Sequence, residues 1–271
     1  MATSHWVRRT QREGRQRSTA YATRIVRTEV PRPVTEPTTI WSRPERQSRG
    51  PRPAYSRAQI TAAAVAVADA DGLDAASMRR VAAEIGTGAM SLYRYVPSRD
   101  DLVELMIDHV HGEFGLPDAP SGDWRADLRL GAEHARAALL RHPWAVDARR
   151  ARPALGPNQL RYLEFMMGAL DVGIPVDDIM TYSGLVTSYV QDTVREEAAW
   201  AAETRRTGMT ADAWMRASGG YVRDLMAFGR YPMLTRVVRD ARQPHLGREE
   251  RFAYGLDRVL ACIAAMLPEV P

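Results

Sequence analysis

From Tyr55 onward, apolar residues recur at helical spacing, and no segment shows the alternation of a strand or a hairpin turn. Ile60, Ala63, Ala64, Val67 and Ala68 follow the i, i+3, i+4, i+7, i+8 rhythm that gives a helix one buried face. Asp71-Gly72 ends that helix, glycine being the usual residue where a helix C-terminus turns left-handed. Ser77 is placed to cap a second helix with Val81, Ala82 and Ile85 on one face, stopping at Gly86. A short third helix carries Leu92 and Val96 and is closed by Pro97. A fourth opens at Ser98, with Asp100 and Asp101 at its positive end, and runs through Leu102, Leu105 and Met106 to Gly112. A Gly/Pro/Asp/Ser-rich joint, 112–123, separates this block from the rest. Beyond it the pattern predicts helices near 124–141, 157–172, 176–205, 210–228 and 248–267, and a shorter one near 230–240. Breaks fall at Pro143, Pro153, Gly173-Ile174-Pro175, Gly208 and Pro244. No repeat of 20–50 residues is present. The expected fold is all-α.

Composition narrows the class further. The 271 residues make one or two domains, 45% apolar and 26% charged, as in ordinary globular chains. No run approaches the roughly 18 apolar residues of a membrane span. The arginine-rich N-terminus has no apolar core of a signal peptide, so a cytoplasmic location is expected. The one cysteine, Cys262, can neither close an intramolecular disulfide nor build a cysteine zinc site. Set in the apolar run 260–267, it reads as a small buried hydrophobe.

Charge is unevenly divided. There is no lysine, and all 37 basic residues are arginine. Residues 1–50 hold eleven arginines against four glutamates, a net of +7, which leaves 51–271 at −3. The basic character belongs to a tail. Residues 1–53 lack hydrophobic periodicity and carry Pro31, Pro33, Pro37, Pro44, Pro51 and Pro53, so they read as a disordered extension. Two uses remain open: a plain solvated tail, a start assigned too early included, or an arm touching phosphates or a minor groove.

The strongest local pattern is Ser77-Met78-Arg79-Arg80-Val81-Ala82-Ala83-Glu84-Ile85-Gly86-Thr87-Gly88-Ala89-Met90-Ser91-Leu92-Tyr93-Arg94-Tyr95-Val96. Two short helices meet at a glycine-containing turn, the layout of a helix-turn-helix. Small side chains at Gly88 to Ser91 let the second helix sit deep in a major groove. Arg79, Arg80, Ser91, Tyr93, Arg94, Tyr95 and Arg99 ring its edge. Within 77–99 there are four arginines and one acid, a positive patch on an acidic body and the charge pattern of a duplex-DNA binder.

This segment, from about Arg57 to Glu113, resembles the DNA-binding domain of the tetracycline-repressor (TetR) family of bacterial transcription regulators. The likeness rests on Ser-Met-Arg-Arg-Val-Ala-Ala-Glu-Ile-Gly, then Met-Ser-Leu-Tyr-Arg-Tyr-Val, then a Ser-Arg-Asp-Asp-Leu helix start. Beyond the disordered extension over 1–53, the resemblance implies two domains: a helix-turn-helix DNA-binding domain over 54–113 and a helical-bundle ligand-binding and dimerisation domain over 120–271. It implies Ser77 and Arg79 on phosphates or an outer base. Gly88, Ala89, Met90 and Ser91 would face base edges, with Tyr93, Tyr95 and Arg99 on backbone phosphates. Gly88, Ala89 and Met90 depart from the hydrogen-bonding side chains often found there, so methyl contacts, Arg79 and DNA shape would carry more of the specificity.

Asp100-Asp101-Leu102-Val103-Glu104 matches a magnesium-holding motif of terpene cyclases, but no second metal triad follows, and carboxylates at a helix start explain it. His109 and His111 sit on different sides of a helix and cannot share one metal. No catalytic set, metal site or cofactor is expected. The C-terminal half is rich in Met and aromatics. Trp144, Phe165, Met166, Met180, Tyr189 and Trp200 are the candidates for lining an apolar pocket. Phe252, Leu256, Val259 and Ile263 form a stripe that either buries in the bundle or pairs with a second chain; the resemblance implies the second, together with part of 176–205. The expected function is a homodimeric regulator, most simply a repressor that binds an inverted-repeat operator in double-stranded DNA and is released by a small apolar effector. The competing readings are an all-α small-molecule-binding protein without DNA function and, remotely, the metal-dependent cyclase.

Overall fold

The computed structural model describes residues 39–43, 55–148, 155–241 and 246–267, and among them every regular element is helical. α1 (Arg57–Asp71) opens on a reciprocal cap: the Ser56 hydroxyl accepts the Gln59 amide at 3.1 Å, and the Gln59 side chain accepts the Ser56 amide at 2.9 Å. It ends at Gly72, whose φ of 86° a side chain would resist. α2 (Met78–Glu84) is capped by Ser77, which accepts the Arg80 amide at 3.2 Å.

α3 is only Ala89–Leu92. The sequence pattern carries it to Val96, but Pro97 pushes the residue before it away from helical geometry. The chain therefore leaves the helix in a turn that still buries Val96 completely. α4 (Arg99–Gly112) begins at Ser98, whose hydroxyl accepts the Asp101 amide at 3.0 Å. It is buried on nearly every side, from Leu102 and Val103 through Leu105, Met106 and Ile107 to Val110. A surface helix shows one apolar stripe; this one has head helices on one flank and body helices on the other.

The body starts with α5 (Trp124–Arg141), capped by Asp123, and a four-residue helix α6 (Trp144–Asp147) that the sequence pattern does not reveal. α7 (Pro157–Ala169) is three residues shorter than predicted, because Leu170 to Val172 turn toward Gly173, at φ 83°. α8 (Val176–Thr207) spans 32 residues, about 48 Å at 1.5 Å each, and stops at left-handed Gly208. α9 (Ala211–Ala227) and α10 (Pro232–Asp240) bury no residue; Trp214, Tyr221, Phe228, Met233 and Val237 are exposed. α11 (Arg248–Met266) returns along α8. Arg136 of α5, almost fully buried, ties these long helices together. It donates to Glu197 of α8 at 2.9 Å and to Glu249 of α11 at 2.6 Å, with its guanidinium 4.6 Å over the Phe252 ring.

Two expectations are corrected. Ile40–Ser42, within the stretch read as disordered, forms a 3-10 turn, and Ile40 is wholly buried in the head core. A single isoleucine among prolines and arginines leaves no periodicity to detect. The rest of 1–54, with its prolines, lies outside the described residues, as do the breaks expected at Pro153 and Pro244. Cys262 is exposed. The apolar run around it is hydrophobic all round the helix, so Leu260 and Ile263 take the inner face and Cys262 the outer. Leu260 joins Phe252, Leu256 and Ile263 as fully buried members of the stripe, with Val259 half-buried against the same core, so these residues pack inside this chain.

Candidate nucleic-acid interface

The turn between α2 and α3 sets the geometry of the positive patch. Gly86, at φ 72°, closes α2 in a paired arrangement: the Thr87 amide donates to Ala82 O at 2.8 Å and the Gly86 amide to Ala83 O at 3.2 Å. Met78, Val81, Ala82, Leu92 and Val96 face inward. The register that buries them turns Arg79, Arg80, Gly88, Met90, Tyr93 and Arg94 outward, with Ala89, Ser91 and Tyr95 half-buried. Met90 is 78% exposed and Tyr93 43% exposed, large apolar surfaces on a helix of one turn. No packing among the described residues accounts for them.

The other sequence candidates have partners. Ser77 is occupied as a cap, though its hydroxyl proton remains available to donate. Arg80 lies 3.7 Å from Asp71 and 4.0 Å from Glu84, exposed pairs of little energetic weight. Arg99 donates to Leu73 O at 2.9 Å and sits 3.6 Å from Asp74, so it braces the start of α4 against the 73–75 turn. The Tyr95 carbonyl accepts Arg57 Nε at 3.2 Å. The acidic 100–104 motif is not gathered into a metal cradle. Asp101 accepts from Ser98 and Glu104 from Thr39, and among the described residues no three His, Cys, Asp or Glu side chains group to hold a metal. No described helix is long and apolar enough to cross a membrane.

The contacts that join head to body were not foreseen from the sequence. Asp69, near the end of α1, accepts from His142 Nδ1 and Trp144 Nε1 with the same oxygen, both at 2.7 Å. On the other side of the His142 ring, Nε2 lies 3.1 Å from Glu113, which also accepts from Arg141 at 2.8 Å. Burial pushes the Glu113 carboxyl up, but the Arg141 and His142 contacts together outweigh it and hold the group below the usual range. Further along α4, Asp108, only 3% exposed, caps α7. It accepts the Asn158 and Gln159 amides at 2.9 and 3.0 Å and the Asn158 side chain at 3.0 Å. Burial raises its pKa, with those hydrogen bonds working against the shift.

The candidate pocket residues do not converge. Trp144 sits at the junction, bonded to Asp69. Phe165 and Met166 are neighbours in the α7 core, and the Met166 sulfur lies so near Gly131 that a Cβ there would clash with it. Met180 is exposed, Tyr189 donates to Phe252 O at 2.9 Å, and Trp200 faces Trp214 with ring centres 6.3 Å apart. A cavity of about 20 Å³ opens instead among His111, Phe114, Asn158, Arg161 and Tyr162.

Known proteins carry this arrangement of a helix-turn-helix head on a helical body. Residues 60–106 match the family model for bacterial regulatory proteins of the tetR family, and residues 116–267 match the tetracyclin repressor-like C-terminal domain. The HTH-type transcriptional repressor DrrR1 of Streptomyces coeruleorubidus is 36% identical over 223 residues, 82% of each chain. An HTH-type transcriptional regulator of Saccharopolyspora erythraea is 38% identical over 165 residues, 60% of this chain and 70% of that one. Among solved structures, the Streptomyces coelicolor TetR family protein ActR in complex with actinorhodin superposes with a TM-score of 0.67 at 29% identity, covering 79% of this chain and 99% of that one. With its head and its body each matched over most of their lengths, the chain belongs to the TetR family of bacterial transcription regulators.

Proposed function

We propose that this protein is a homodimeric transcriptional repressor whose paired heads bind an inverted-repeat operator and let go when a small apolar molecule enters the body. The division of labour we put forward is residues 55–113 for DNA and 120–267 for effector and dimer. The observation that carries the DNA reading is the outward face of α2 and α3, where Arg79, Met90 and Tyr93 are exposed with no structural task among the described residues. Arg79 suits a phosphate or a guanine edge, Met90 and Ala89 a thymine methyl, and Tyr93 and Tyr95 the backbone. Ser77, Gly88, Ser91 and Arg99 complete the interface. Half-sites would lie about one helical turn apart, or a multiple of it.

For the dimer we favour the outer faces of α8 and α11. Tyr254, Arg258, Ala261, Cys262 and Ala265 fall on one exposed stripe of α11, with small residues that allow close helix approach. For the effector, with Trp144 at the head–body junction as a separate candidate, we favour the neighbourhood of Phe165 and Met166. A thioether that can swing away from Gly131 would open space there, and ActR, a relative with this fold, was solved with actinorhodin bound. Tyr189, Trp200 and Met180 are secondary candidates, because their present contacts or exposure would have to change first. The coupling expected in such a regulator is about 1–3 kcal/mol, and operator must weaken effector binding by the same factor.

Selection of random duplexes by the purified protein, with sequencing of those retained, tests the reading directly. An enriched inverted repeat is expected. Retention without a consensus, or none at low salt, would end it.

A further inference from the structure

The one-turn helix α3 does not hold its own shape. A helix that short makes too few hydrogen bonds to be stable alone. Just past it the ladder is loose: the Tyr93 amide meets Ala89 O, and the Arg94 amide Ser91 O, only at 3.4 Å. Leu92 and Val96 plug the head core completely, but apolar contact is non-directional and sets the depth of this segment more than its orientation. A directional contact comes from α1. Arg57, its first residue, donates through Nε to Tyr95 O at 3.2 Å. The same guanidinium is held from the 39–43 turn, where Nη1 donates to Arg43 O at 3.0 Å and to Ile40 O at 3.4 Å. That turn is itself fixed, by wholly buried Ile40 and by the Thr39 hydroxyl, which donates to Glu104 of α4 at 3.2 Å. Just beyond the other end of α1, Leu73 O accepts from Arg99 at 2.9 Å. The passage from α3 into α4 is therefore gripped from both ends of α1.

We propose that Arg57 is a positioning residue for operator recognition: locked by the carbonyls of Ile40 and Arg43, it fixes the backbone at Tyr95 and so orients Tyr93 and Tyr95 toward the phosphates. Arg57 itself touches no DNA. The inference rests on the operator-binding reading above and deepens it, by naming what orients that site. The chemistry asks for arginine. Three carbonyls on one planar group leave the side chain little rotamer freedom, so Nε is aimed at Tyr95 O before any duplex arrives. A lysine would keep the charge, but its compact ammonium cannot supply the separated Nε and Nη1 donors.

The test compares full-length Arg57→Ala and Arg57→Lys with the parent, on the duplex recovered by random selection and on a scrambled duplex of equal length. All affinities are read below the melting transition of each protein. Both variants are expected to bind the selected duplex about 10-fold more weakly, the scale of one hydrogen bond from a charged donor. Both should bind the scrambled duplex as the parent does and keep its log–log salt slope. A residue that neutralised a phosphate would behave otherwise: Arg57→Lys would bind like the parent, and Arg57→Ala would weaken both duplexes and flatten the slope by about 0.9. Either of those results overturns the positioning role. Hydrogen exchange without DNA is the second arm. The Tyr95 and Val96 amides, both bonded to Leu92 O, should exchange at least about 10-fold faster in both variants, while those of Ile107 and Val110 in α4 keep the parent's rates. Unchanged rates at 95 and 96, or an equal rise throughout the head, also overturn it. A parent that selects no consensus removes the operator reading and this inference with it; a parent that selects one, with variants that bind as it does, removes this inference alone.

Discussion

Replacing Asp69 by Ala tests the junction between head and body. One Asp69 oxygen accepts two donors, the indole N–H of Trp144 and Nδ1 of His142, each at 2.7 Å, and both donors' residues are buried. Removing the acceptor leaves two buried polar groups without their partner, and each such loss costs about 1–3 kcal/mol. The Asp69 side chain is 32% exposed, so water can reach part of the vacated site. The lower half of the range then applies, about 2–4 kcal/mol in total, a large share of the roughly 5–15 kcal/mol that holds a domain together. Urea denaturation at one fixed protomer concentration measures it, since a dimer's stability depends on concentration. Asp69→Asn keeps a carbonyl oxygen in place and should recover most of the loss. A double-mutant cycle with Trp144→Phe isolates the indole bond, and a coupling of about 1 kcal/mol is expected. If Asp69→Ala stays within about 0.5 kcal/mol of the parent, or if Trp144→Phe costs the same in both backgrounds, the junction is not held this way.

Arg79→Ala is expected to weaken operator binding by about 1–3 kcal/mol and relax selection at one base position, as read by repeating the duplex selection; unchanged selection would move Arg79 off the interface. Gly156→Ala should destabilise by about 1–3 kcal/mol in the same denaturation assay, because its Cβ would enter the buried Asp108 carboxylate that caps α7. For pH, Glu113 is held below its ordinary value of 4.5, so its stabilisation is present above the unfolded pKa and lost as pH falls through the lower, folded one. Glu113→Gln should therefore flatten the fall in melting temperature between about pH 6 and pH 3. Asp108 has the opposite sign. Its folded pKa is raised, so its contribution is largest below the unfolded pKa and declines as pH rises, and Asp108→Asn should remove that decline. Ala261→Arg, on the outer stripe of α11, should turn a dimer into a monomer in sedimentation; an unaffected dimer would place the interface elsewhere.

Much of this fold was legible where a boundary has local chemistry. Gly72, Ser77, Gly86, Ser98 and Gly208 announce helix ends through side-chain caps or left-handed backbone, and the helices begin or stop at them. What failed is what periodicity does not encode. Leu92 and Val96 sit four apart whether the chain between them is helix or turn. A helix apolar on all sides does not say which side is inside, so Cys262 was misplaced. Ile40 is one residue, and one residue has no period. In the proposed site, the outward Arg79, Met90 and Tyr93 could be named from the register of Val81 and Leu92, both at 0% exposure. The Asp69–His142–Glu113 junction could not, because its members lie up to 73 residues apart and join only through folding. The pocket candidates were chosen by residue type alone, and residue type carries no position.

The all-round burial of α4 bears on how regulators of this build can be recombined. The joint at 112–123 looks like the natural place to cut when grafting one relative's reading head onto another's sensor. Yet α4 carries groups that meet the body, Asp108 against Asn158 and His111 against Tyr162, on the head side of that cut. A chimaera made there would press these residues against a foreign α7, with no Asn158 to meet Asp108 and no Gly156 to make room for it. A cut upstream, between Pro97 and Ser98, only moves the mismatch to the other flank, where α4 packs on α1 and Arg99 donates to Leu73 O, so α4 has to be matched to both of its partners at once.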